Sequence, residues 1–281
     1  MALESTYGTM ATLIGNVYDI ALFAAAESNV MAPLVTVKGD LSDSRPRVWS
    51  TYSGGTFAAI DENTDGTALA FHATAAGTMT PELYYQQIFL TDRRIRTDPM
   101  NAQSEAGQFL GQTLGESIDT QLAGLFGSLT GGTVGAGSAY ANFANIMHAQ
   151  AKMRANKIPG PYVCVLSPIQ WYKITAGTAD IPTLIQNNQL FMDSVLAPFY
   201  QGSYSGVDFL VDANITAGSA STGGMFNRQA LALDIRNPFE IAPQRDESRG
   251  GGGIELNGRM EYAYGVMRPT WGVKIVGMGT A

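Results

Sequence analysis

A ribbon too long to stand alone constrains this chain more than any other feature. It runs from about Lys38 to Thr80. Its arms read Arg47-Val48-Trp49-Ser50-Thr51-Tyr52 and Thr67-Ala68-Leu69-Ala70-Phe71-His72-Ala73. Between them lies the acidic stretch Asp61-Glu62-Asn63-Thr64-Asp65-Gly66. An isolated two-stranded ribbon is marginal in water. Trp49, Tyr52, Phe57 and Phe71 need a surface to cover them, and no partner strand is obvious nearby. A neighbouring copy of the chain is the economical cover, so assembly leads the functional reading.

A long helix follows. Asp98-Pro99 reads as N-cap and first helical residue. Ala106, Leu110, Leu114, Ile118, Leu122 and Phe126 form one apolar stripe. The pattern predicts a helix over 99–127, about 40 Å long at 1.5 Å per residue. Gly107, Gly111 and Gly115 lie beside the stripe at four-residue spacing. Each glycine costs about 1 kcal/mol relative to alanine in a helix interior. Three in register therefore imply close backbone approach by a sheet or another helix. Gln108, Gln112, Glu116 and Asp119 interrupt the apolar run, which argues against a membrane-dimer reading of that spacing. No other stretch has the character of a membrane span.

Composition supports a protein-facing surface. Apolar residues make up 45% of the 281 residues and charged residues only 15%. A lone soluble monomer usually carries more charge. The net charge of −7 and the absence of a basic stripe argue against a specific DNA reader. An acidic wall around packaged nucleic acid remains reasonable, because weak attraction lets DNA slide. The single cysteine, Cys164, sits in Tyr162-Val163-Cys164-Val165-Leu166 and reads as a small buried hydrophobe.

The rest of the chain alternates short elements. Leu13, Ile14, Val17, Ile20, Ala21 and Ala24 recur at helical spacing in an N-terminal arm, which Ala32-Pro33 ends. Met79–Thr91 is extended. Ser138 is the expected cap of a helix over 139–155, followed by a strand at Tyr162–Leu166 and a helix opened by Ser167-Pro168. Residues 176–206 read as mostly irregular. Strands are expected at Val207–Val211, Gly224–Asn227, Ala230–Ile235, Ile254–Tyr264 and Val266–Gly277, with Gly250 to Gly253 as a flexible joint.

Motifs for catalysis or metal binding are thin. Asp61-x-Asn63-x-Asp65-Gly66 matches the first half of a calcium loop, making Asp61, Asn63 and Asp65 weak metal candidates. Position twelve should be a bidentate Glu and is His72. Asp-Gly between strands is the ordinary hairpin turn. His72 and His148 are the only histidines, and neither has the context of a Ser–His–Asp site. Asp208 and Asp212 read as solvated or structural charges. A hydrolase with an unrecognised site is the alternative of another class; the expectation is no enzyme and no cofactor.

The order of parts resembles the major capsid protein of tailed phages, the Hong Kong 97-type fold. Lys38–Thr80 is similar to that family's extended loop and Asp98–Gly127 to its spine helix. Tyr140–Lys157, Tyr162–Leu166 and Ser167-Pro168-Ile169-Gln170-Trp171 look like its axial helix, strand and following helix. Gly206–Val211 and Glu261–Pro269 resemble two later strands, so the likeness covers nearly the whole chain. The implied fold is α+β. Its parts are an arm (1–37), an extended β-hairpin loop (38–80), a peripheral domain (81–137), an axial domain (138–253) and C-terminal strands returning to the peripheral domain (254–281).

The resemblance implies a virion shell of hexamers and pentamers around double-stranded DNA, which it encloses without specific binding. Assembly in the host cytoplasm, a portal protein, a separate scaffolding protein and a cement protein are the implied setting. The same fold also serves encapsulin-type compartments, the runner-up. Some members weld subunits through a Lys–Asn bond. The five lysines here, Lys38, Lys152, Lys157, Lys173 and Lys274, lie away from the loop tip, so non-covalent assembly is expected. The expected subunit contacts are Arg45, Arg47, Trp49, Tyr52 and Phe71 on the loop, with Arg93, Arg94 and Arg96 at the edge before the spine helix. Asp92 and Asp98 flank that cluster and offset only part of its charge.

Overall fold

The computed structural model describes residues 20–21, 29–40, 43–52, 57, 59–66, 73–97, 101–137, 139–176, 198–216, 218, 220–248 and 251–279. In chain order the first strands are β1 (Thr36–Lys38), β2 (Arg47–Tyr52), β3 (Ala73–Met79), β4 (Glu82–Thr91) and β5 (Thr133–Gly135). They are followed by β6 (Tyr162–Leu166), β7 (Tyr200–Tyr204), β8 (Val207–Val211) and β9 (Ser221–Phe226). The last are β10 (Leu231–Asp246), β11 (Gly253–Val266) and β12 (Gly272–Gly277). The helices are α1 (Asp92–Thr97), α2 (Asn101–Gly124), α3 (Phe143–Ala155) and α4 (Pro168–Ala176).

Two sheets organise the chain. The first has the order β1-β10-β11-β4, the second β5-β12-β9-β6-β8-β7. The chain passes between them three times, after β4, after β9 and after β11. The C-terminal strands therefore part company: β11 lies in the first sheet and β12 in the second, beside β5 and β9. Of the Gly-rich run, Gly251 and Gly252 lie between the paired strands β10 and β11, and Gly253 opens β11. Gly251 and Gly252 take φ of 108° and 73°, left-handed values that suit a residue without Cβ. Strand β10 extends to Asp246, well past the expected Ile235. Its pairing with β11 slips between Ile235 and Asn237 and again before Glu240. Pro238 falls in that slip; it has no N–H to give a ladder, and the bulge accommodates it.

The long helix α2 buries Ala106, Leu110, Ile118 and Leu122, and Phe126 continues the stripe in a 3₁₀ turn over Leu125–Ser128. Residues 98–100, the expected start, lie outside the described residues. Gly111 confirms close backbone approach. A Cβ there would meet the carbonyl oxygen of Ala21 at 2.0 Å, so the N-terminal arm lies directly against this face. Gly111→Ala should therefore displace the arm and cost about 1–3 kcal/mol, read as a lowered melting temperature. An unchanged melting temperature would contradict the contact.

The second sheet is built on β6, whose five residues are all buried. It pairs parallel with β8 and antiparallel with β9. Helix α4 starts with a reciprocal capping box. Ser167 Oγ accepts from the Gln170 amide at 3.3 Å, and Gln170 Oε1 accepts from the Ser167 amide at 3.2 Å. The cap of α3 is Asn142, not Ser138: its side chain accepts from the Asn145 amide at 2.9 Å. Strand β7, within a stretch read as irregular, closes the edge beside β8.

Candidate inter-subunit surface

The ribbon is held at its root. β2 pairs antiparallel with β3, from Arg47 opposite Met79 to Tyr52 opposite Ala73. Residues 67–72, the expected start of the second arm, lie outside the described residues. Trp49 packs against a small cluster of Met79, Ala232 and Ala263, so it finds its cover within its own chain. The Arg47 guanidinium sits 5.6 Å from the Trp49 ring centre.

Charge fastens this root to β10. Asp234 and Arg236 alternate on one face of the strand, and both side chains are fully buried. Arg236 Nη2 lies 2.8 Å from Asp234 Oδ2. Arg47 Nε donates to the same carboxylate oxygen at 2.8 Å. Arg236 also donates to the backbone oxygens of Asp43 and Arg45, at 2.8 and 3.1 Å, and to Asp43 Oδ1 at 2.9 Å. Asp40 completes the clip through Arg47 Nη2 at 2.5 Å. The Arg47 hydrogen bond holds the exposed Asp40 carboxyl below the usual range. Sequence reading missed Asp234 and Arg236. Opposite charges two apart in Leu231–Arg236, at the end of an apolar run, were the available signal.

The other expected contacts fall as follows. Arg45 is exposed and lies 3.5 Å from Asp43. The side chains of Tyr52 and Phe71 lie outside the described residues. Arg93, Arg94 and Arg96 are all exposed on α1. Arg94 Nη2 pairs with Glu105 of α2 at 2.8 Å. Asp92 is engaged by Arg245 at 2.9 Å, so it does little to offset the cluster. Among the described residues, no carboxylate pairs with Arg93 or Arg96. Asp61, Asn63 and Asp65 stand exposed, and the described residues hold no group of three metal-ligating side chains. Cys164 is buried, and burial pushes its thiol pKa up, away from reactivity. Asp208 and Asp212 are buried rather than solvated.

Apolar surface is concentrated on the ribbon and around β4. Val48, Phe57 and Ile60 are exposed on the ribbon, Phe57 fully so. Leu83 and Tyr85 are exposed on one face of β4, as is Phe109 on α2. Among the described residues, β4 forms the outer edge of the first sheet with no strand beyond it. A groove lined by Tyr84, Tyr85, Leu110, Leu114 and Phe239 runs between that edge and α2. An exposed ribbon and an uncovered sheet edge are surfaces on which another protein can pack.

A family model described as phage capsid protein matches residues 78–275. The fold is similar to the capsid of cyanophage P-SCSP1u, with a TM-score of 0.65 and 15% identity, covering 90% of this chain and 89% of that one. A Mycobacterium phage Che8 structure matches with a TM-score of 0.65 and 16% identity, over 88% and 90% of the two chains. A virus-like particle from Pyrococcus furiosus matches with a TM-score of 0.60 and 9% identity, over 93% and 98%. No curated protein matches the sequence.

Proposed function

Because this chain belongs to the phage capsid protein family, we propose that it forms the icosahedral head of a tailed double-stranded DNA phage through non-covalent contacts. Its action is binding, with no reaction. The carrying observation is the ribbon, clipped at its root to the first sheet while Val48, Phe57 and Ile60 face outward. In this reading β4 and the groove beside it receive a neighbour's surface, and many modest contacts add through multivalency. Hexamers and pentamers, a portal, a scaffold and a cement protein are the partners such a shell calls for, within the host cytoplasm and then the virion. Electron microscopy of the purified protein tests it: closed shells with nuclease-protected DNA are expected. Shells filled with an enzyme would instead favour the encapsulin-type compartment, a reading that the similarity to a virus-like particle keeps in play.

Non-covalent assembly has its own test. Lys152 donates to the Thr133 carbonyl at 2.8 Å, and Lys173 lies 4.5 Å from the Tyr140 ring centre. Those lysines are occupied within the subunit and far in sequence from the ribbon. Particles boiled in denaturant should run as one band near 29.9 kDa. A reductant-resistant ladder would contradict this.

The arginine cluster is assigned to a neighbour's acidic groups. Arg93 and Arg96 project from the subunit edge without a described carboxylate partner. Exposed pairs are screened by salt. Arg94→Glu should impair assembly, both by placing like charges at Arg94 and Glu105 and by opposing the neighbour. Raised salt should dissociate wild-type particles before the subunit unfolds. A charge reversal that assembles normally but loses DNA would place the cluster against the genome.

A further inference from the structure

Three parts of the chain meet at a dry carboxylate pair. Asp119 comes from α2 and is wholly buried; Asp212 follows β8 and is 1% exposed. The N-terminal arm supplies the third part, Val30 and Met31. Their backbone amides both donate to Asp119 Oδ1, at 2.9 and 2.6 Å. Asn214 bridges the two acids. Its side-chain amide donates to Asp119 Oδ2 at 2.9 Å, and its backbone amide donates to Asp212 Oδ1 at 2.8 Å.

The donor count is lopsided. Asp119 accepts three N–H groups, which suit a carboxylate anion. Asp212 accepts one, and its Oδ2 is buried without an N–H or hydroxyl donor among the described residues. That oxygen is satisfied if it carries a proton and donates to Asp119, with which Asp212 is in hydrogen-bonding contact. Two buried like charges in contact are costly, and sharing one proton removes the conflict.

We propose that Asp119 and Asp212 hold one proton between them, and that this proton latches the N-terminal arm to the junction of the two sheets, so that rising pH loosens the arm. Asp212 is the acid that holds the proton and Asp119 the anion that receives the arm. Burial first, and then the Asp119 charge, push the Asp212 carboxyl up to about 8. The arm faces the pair with Asn29, Val30 and Met31, which carry no charge. The turn after β8 contributes Asn214 and Ile215, also uncharged. Among the described residues, no cation pairs with either acid.

The sign of the pH effect follows from linkage. The arm's two amides sit on Asp119; in the proposed opening water enters beside the pair there, and Asp212 returns to an ordinary carboxyl near pH 4. Between about pH 4 and 8 the latched state holds one proton more than the open state. Opening therefore becomes about tenfold easier per pH unit across that window and levels off above it. A bound cation would give the opposite slope, because protons would compete with it.

The test is amide hydrogen exchange of the segment containing Val30 and Met31. It uses the full-length protein with a chelator present, from pH 5 to 9, with rates corrected for intrinsic exchange. In the wild type, protection should fall about tenfold per pH unit up to about pH 8, then flatten. Asp212→Asn keeps an N–H donor toward Asp119 and removes the titrating group, so its protection should not vary with pH. A flat wild-type profile overturns the proposal, whether or not the variant folds. So does a slope that survives Asp212→Asn. Protection that rises with pH, and rises further when calcium replaces the chelator, overturns it in favour of a cation.

Discussion

Replacing residues 53–72 with a two-residue Asn-Gly turn yields a subunit that folds and closes no shell. The cut is placed where the described pairing ends, at Tyr52 opposite Ala73. Asn-Gly suits the tight turn that then joins the strands. Everything that fastens the ribbon's root stays: Trp49 on Met79, Arg47 on Asp234, and Arg236 on Asp43. The melting temperature of the free subunit should match the wild type. What is lost includes Phe57 and Ile60, both exposed. A buried Phe or Ile is worth about 1.5–3 kcal/mol. With one ribbon given and one received by each subunit, a shell loses one such contact per subunit. Sedimentation and microscopy should find monomers or small oligomers. Closed particles of normal size would mean that the ribbon decorates the shell without building it.

Much of that design was legible because it is local. The ribbon's first arm, Arg47–Tyr52, and the strand of Tyr162–Leu166 carry their periodicity in consecutive residues. The helix of Ser167-Pro168 announces its own cap. The spacing of Gly107, Gly111 and Gly115 implied a close approach, and Ala21 is what approaches Gly111. The errors arose where long-range pairing overrides local signals. Pro238 and Pro243 argue against a strand, yet β10 runs through both because β11 pairs along its length and a bulge absorbs Pro238. Strand β5 is three residues of Gly-rich sequence, and only pairing with β12 makes it a strand.

The charges were harder to place than the apolar residues. Asp119 read as a polar interruption of a helix, but it is fully buried because the arm brings two amides to it. Arg47 read as a contact for another subunit, and it is also engaged within its own chain through Asp40 and Asp234. Asp234 pairs with Arg236 two residues on, but its second partner sits far away in sequence: Arg47 and Asp234 are 187 residues apart. No pattern within a window of the sequence encodes that distance.

The largest single-residue effect is expected at Asp234. Its carboxylate lies between two guanidinium groups and neutralises Arg236, whose side chain is fully buried. Asp234→Ala leaves Arg236 with Asp43 as its remaining acid, and Asp43 is half exposed to water. Breaking one side of a buried pair costs about 3–5 kcal/mol, because the survivor stays uncompensated in a dry site. The variant subunit should melt well below the wild type, and its ribbon root should exchange amide hydrogens faster. The companion variant decides what the clip is for. Replacing Asp234 with Leu and Arg236 with Met removes both buried charges, and such apolar replacements are often neutral or stabilising. The double variant should recover much of the lost stability. It also frees Arg47 from one of its two acids and removes the donors that hold the Asp43 and Arg45 carbonyls. If the clip serves to aim the ribbon, this stable double variant should still assemble poorly. Normal shells from it would show that the buried charges stabilise the root without directing it.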